Sequence, residues 1–202
     1  LADDTTNLPA PLFVDYQDPA LAKLTILLSH YEESPSLAQL QALGLVDLQA
    51  GLVRAASDRA LPNIARGRAI TLLGALPLTK SLAFIDHTLA APADEDPYII
   101  GHLVRLVGED LAPQDPQWAM QTLNAFINHP DIGIREWAVV GVGAMRALPE
   151  AQAWADEHLV QLLLAERSPG VRQALNRVLE GVEVLTPAGR PPIVRAPKAT
   201  TP

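Results

Sequence analysis

The sequence predicts an all-helical chain built from stacked helix pairs, and three observations carry that expectation. Aromatic residues are scarce, with three each of Trp, Tyr and Phe, while almost half of the 202 residues are apolar. That balance favours closely packed helices over a sheet. Five Asp-Pro or Ser-Pro dipeptides, at 18–19, 34–35, 96–97, 115–116 and 168–169, each precede a stretch with helical periodicity. Asp or Ser caps the first free N–H groups of a helix, and Pro at its first position loses no hydrogen bond. Finally, small and charged positions recur at intervals of 34 to 37 residues. No sustained period-two alternation between turn signals competes with this pattern.

Between these starts the periodicity places nine helices, near residues 19–31, 36–57, 62–75, 79–90, 97–109, 116–128, 132–147, 150–166 and 169–182. The second holds Gly44 and Gly51 and is expected to kink or split. Residues 1–18 are polar and contain Pro, and read as an extended segment preceding a helical body over 19–185. Residues 186–202, TPAGRPPIVRAPKATTP, have no helical period and read as a Pro-rich basic tail or linker.

Two ladders define the repeat. In the first, Arg135, Ala138, Gly143 and Ala144 superpose on Arg66, Ala69, Gly74 and Ala75 after a shift of 69 residues. A forward shift of 37 puts Ile134-Arg135 on Val171-Arg172, and a copy over 98–109 has Ile100 in the Arg slot. In the second, Ala83, Ala119 and Ala155 are 36 apart, each preceded by a large apolar residue: Leu82, Trp118 and Trp154. A unit of this length is one helical hairpin, which cannot bury its apolar face without a neighbour.

Pro169-Gly170-Val171-Arg172 followed by an Ala/Leu-rich helix resembles the second helix of a HEAT repeat, and Pro130 to Arg135 followed by Ala138 is a looser version. The resemblance covers residues 36–182 and implies a right-handed α-solenoid of about four helix pairs, with 19–31 as a capping helix. Tetratricopeptide repeats share the period, but their Trp-Leu-Gly-Tyr pattern is missing.

Register within the repeat predicts which faces are buried. Counted from the Arg slot, one set of positions holds Ala69 and Leu73, Leu103 and Val107, Ala138 and Val142, Leu175 and Leu179. These form the expected inward stripe. A second set, Gly67, Thr71 and Gly74, Gly101, Arg105 and Gly108, Glu136, Val140 and Gly143, Gln173, Arg177 and Glu180, lies on the other side at about 100° per residue and is expected to face outward. Second helices line the concave surface of HEAT arrays, so the resemblance implies that this ridge meets a partner. The candidate partner-binding residues are Thr71, Arg105, Glu136, Trp137, Val140, Gln173 and Arg177. Trp118 and Trp154 share a slot with Leu82 and read as packing residues.

The formal charge is −8. From Thr186 onward there are three basic residues and no acid, which leaves the preceding body at −11, from 12 basic and 23 acidic residues. Such a body repels phosphate backbones and disfavours nucleic acid as a partner. There is no cysteine, which excludes disulfides, thiolate metal sites and a Cys nucleophile. No apolar run is long enough to span a bilayer. The start at Leu1-Ala2-Asp3-Asp4 reads either as a mature end after signal-peptide removal or as the edge of a longer sequence, with a slight lean toward an exported, periplasmic bacterial protein.

Catalytic signals are weak. His30, His87, His102, His129 and His158 include no His-Glu dipeptide and no i, i+4 pair, so no metal site is assigned. Gly141-Val142-Gly143 lies mid-helix without a following Lys-Ser/Thr and reads as a close-packing device rather than a phosphate loop. Glu109 and Asp110 fall at a helix C-terminus, where the macrodipole disfavours them, and so have a better claim to a role than Asp94-Glu95-Asp96. The reading is a noncatalytic protein-binding scaffold or assembly subunit without cofactor, binding a protein or peptide. Its alternatives are an enzyme resembling HEAT-like lyases or metal-dependent hydroxylases, or a nucleic-acid-binding repeat protein.

Overall fold

The computed structural model describes residues 18–30, 34–76 and 81–181. The expected N-terminal segment, save Asp18, and the Pro-rich tail lie outside the described residues. Within them the chain forms helices α1 (Pro19–Ser29), α2 (Leu37–Gln41), α3 (Leu48–Ser57), α4 (Asn63–Leu73), α5 (Leu82–Ala90), α6 (Pro97–Leu106), α7 (Pro116–Phe126), α8 (Ile132–Met145), α9 (Pro149–Ala165) and α10 (Pro169–Leu179). No strand occurs among the described residues.

The dipeptide starts act largely as the capping chemistry requires. Asp18, Asp96 and Asp115 accept hydrogen bonds from the N–H groups of Ala20, Tyr98 and Trp118. The other two depart from expectation. Ser36, not Ser34, caps α2, in a reciprocal box with Gln39. Ser168 makes no side-chain cap; Glu166 Oε1 instead accepts from the N–H groups of Arg167 and Ser168. The long helix expected over 36–57 divides into α2 and α3 because Gly44 takes φ +72°, a left-handed conformation that ends α2.

Helices α4, α6, α8 and α10 lie side by side in chain order, each packed on the next. A second row backs them: α3 on α4, α5 on α6, α7 on α8 and α9 on both α8 and α10, while α1 closes the start against α3 and α4. One hydrophobic cluster runs through both rows, from Leu21 to Val178. Seven of the eight residues of the expected inward stripe, Ala69, Leu73, Leu103, Val107, Ala138, Val142 and Leu175, are fully buried, and Leu179 is partly covered. Trp118 and Trp154 pack partly buried against the same core.

The expected outward ridge needs correction. Gly67, Gly101, Gly108 and Val140 are buried, because the small residues receive the adjacent helix instead of facing solvent. A Cβ on Gly101 would strike the Trp137 ring, and one on Gly108 would strike the Gly141 backbone. The same seam role falls to Gly67 against Tyr98 and His102, Gly74 against Asp110, and Gly143 against Val178. Small size buys closeness between successive second helices, with dispersion contacts as the gain. The end of α6 is wound wider than an α-helix, as a π turn over Val107–Leu111 with the Ala112 N–H donating to Val107 O at 2.8 Å. This turn places Gly108 against α8.

Candidate protein-binding face

The order of the row α4, α6, α8 and α10 is held by a joint that occurs twice. Arg66, nearly fully buried, donates through Nε to Ala56 O at the end of α3, and through Nη1 and Nη2 to the two carboxylate oxygens of Glu95 at 3.1 and 2.6 Å. Arg135 donates to Glu166 in the same forked way, Nε at 2.8 Å and Nη2 at 3.2 Å, and through Nη1 to the carbonyls of His129 and Pro130. Each Glu lies just before the next second helix, so each fork ties one second helix to the entry of its successor. Arg172 keeps the carbonyl half of the joint, donating to Leu163 O and Glu166 O. Between α6 and α8, where Ile100 stands in the Arg slot, the glycine contact takes over. Planar guanidinium suits this fork and lysine would not replace it.

The charge-assisted bonds from Arg135, together with the N–H groups of Ser168 and Arg167, hold the Glu166 carboxyl at about 2, below its ordinary 4.5. A depressed carboxyl stabilises the fold above its unfolded value and loses that contribution as pH falls from about 4.5 toward 2. The expected result is that Glu166→Gln removes about 2 kcal/mol at neutral pH and flattens the stability profile between pH 4.5 and 2, read by urea unfolding across that range. For Glu95, burial pushes the carboxyl up, but the bonds from Arg66 and the Asp96 N–H, with the charges of Arg66 and Arg59, hold it below the ordinary range.

These joints present a face formed by one side of α4, α6, α8 and α10. Thr71, half-buried, donates to Gly67 O at 3.0 Å and lies 3.3 Å from His102 Nδ1. The His102 ring is edge-on to Tyr98 at 4.5 Å and tilted against Trp137 at 5.2 Å. Arg105 sits 5.6 Å over the Trp137 ring and pairs with Glu109 at 2.9 Å. Thus Thr71, Arg105 and Trp137 come together, and the π turn explains Glu109: it meets the cation one turn back. Trp137 and Val140 are only 8% exposed, so they contribute an edge rather than a platform. Glu136 is half-buried, with its carboxylate where a side chain on Gly170 would be. Gln173 and Arg177 stand exposed on α10, apart from the aromatic row.

Sequence reasoning missed His102 and Tyr98, which lie one helical turn apart on α6 and complete the row. A signal was present, since Tyr98, Gly101, His102 and Arg105 share one face of a helix whose other faces are apolar. Elsewhere His129 Nδ1 accepts from the Asp131 N–H, and the His158 ring lies tilted against Trp154. Among the described residues no three His, Asp or Glu side chains converge as metal ligands would. No helix among them is long and apolar enough to cross a membrane.

No protein-family model matches the sequence, and no curated protein and no solved structure matches it.

Proposed function

We propose that the chain is a HEAT-like α-solenoid that acts as a noncatalytic scaffold, or assembly subunit, binding a protein or peptide along its second helices. The observation that carries this reading is the side-by-side order of α4, α6, α8 and α10 combined with the repeated Arg–Glu fork. A unit that recurs with its own joint is the construction of a repeat array, and such arrays offer an extended helical surface. The surface here mixes one covered cation, Arg105, an aromatic edge at Trp137, and the exposed polar pair Gln173 and Arg177. A partner helix with an apolar anchor and carboxylates on either side fits that mixture.

The test combines Arg105→Gln with Arg177→Glu. Partners recovered with the unaltered chain from its native cells are expected to bind the double variant at least about tenfold more weakly, a loss of roughly 1.4 kcal/mol. Helical circular dichroism should be unchanged. Retention of every partner at equal affinity would remove this face from the function.

A further inference from the structure

Helix α9 carries an uncovered apolar pair on its outer side. Its core contacts come from Ala151, Ala155, Leu159 and Leu162. On the opposite side, about half a turn around, Leu164 is 82% exposed and Val160 48%, with Glu157 exposed one turn before Val160. The neighbouring α10 ends this row differently, with an exposed side of Arg172, Gln173, Asn176, Arg177 and Glu180. So α10 is finished for solvent and α9 is not.

We propose that this side of α9 is the docking site for the chain's own segment 190–198, RPPIVRAPK. The segment has one apolar step, Ile193-Val194, flanked by Arg190, Arg195 and Lys198, and no acid. The site has the complementary order. Glu157 precedes Val160 and Leu164, and the negative end of the helix dipole follows them. Arg190 meets Glu157, which already accepts from Gln161, the Ile-Val step covers Val160 and Leu164, and the last two cations meet the helix end.

The tether permits it. Arg146 bonds Asp156 on α9 and Val178 O on α10, so α10 ends beside the middle of α9. From Gly181 to Ile193 an extended chain reaches up to about 40 Å. The whole of α9, 17 residues, is only about 25 Å long. A prolyl segment also loses little freedom on docking. The site does not depend on the role proposed for the second helices.

Because the chain has no cysteine, two can be introduced for spin labels without background. Labels at Asn124→Cys on α7, clear of the site, and at Thr200→Cys report the distance from body to tail by pulsed electron resonance. The expected result is one narrow distance distribution in the full chain. Leu164→Ser, or Arg190→Glu with Arg195→Glu, should broaden it to the roughly 20 Å spread of a free tether. A distribution already broad in the parent would overturn the proposal, as would a narrow one indifferent to both changes. A narrow signal that persists in a mixture of singly labelled chains would assign the site to a second copy and overturn it equally.

Discussion

Gly108→Ala will destabilise the protein by about 3 kcal/mol or more, even though alanine is worth roughly 1 kcal/mol more than glycine inside a helix. The added methyl would fall on Gly141 O, Cα and C, which are backbone atoms and cannot rotate aside. The only relief is to separate α6 and its π turn from α8, opening Val104, Val107, Val139 and Val142 to voids in a fully buried region. Gly67→Ala provides the comparison, because there the methyl meets the Tyr98 and His102 rings at 2.7–2.9 Å and rings can swing. The two variants should therefore differ by at least about 1 kcal/mol in urea unfolding followed by circular dichroism. Equal losses would mean that the Gly108 contact is no tighter than an ordinary side-chain seam.

Arg66→Ala is expected to cost about 3–5 kcal/mol. Arg66 is 3% exposed, and its guanidinium serves Ala56 O, Asn63 Oδ1 and both oxygens of Glu95. Its removal leaves a largely covered carboxylate with only the Asp96 N–H and the distant, exposed Arg59 at 3.8 Å. The Ala56 carbonyl loses its side-chain donor as well. Glu95→Gln keeps the shape and one acceptor, and should cost only about 1–2 kcal/mol. Combining Arg66→Ala with Glu95→Ala should recover about 2 kcal/mol relative to the sum of the single changes, since no buried charge is then stranded. Additive losses would show that the fork contributes packing alone.

How much of this was legible in the sequence depends on the scale of the signal. Helix order was readable, although the one helix expected over 36–57 is two, because capping needs specific residue types at specific places, as at Asp18, Asp96 and Asp115. The inward stripe was readable for the same reason, since period 3.6 is set by the helix itself. What a glycine faces was not readable. A position without a side chain looks the same in sequence whether it lies under water or under Trp137, and only the neighbouring helix decides. The ridge was therefore assigned outward where half of it is seam. The Arg slot was visible as a ladder, but its use was hidden because each partner, Glu95 or Glu166, lies 29 or 31 residues away in a loop. At the candidate site Thr71 meets His102 and Arg105 meets Trp137, contacts that the register did not specify, because they depend on how α6 rolls against α4 and α8.

The three successive joints are unlike in kind. The outer two are ionic forks, Arg66 with Glu95 and Arg135 with Glu166, and the central one is a steric fit of bare backbone at Gly108 and Gly141. Protons attack the first kind and leave the second untouched. Falling pH should therefore slacken the two flanks before it reaches the steric contact between them, so that the order in which the wings loosen is set by the kind of joint each one uses.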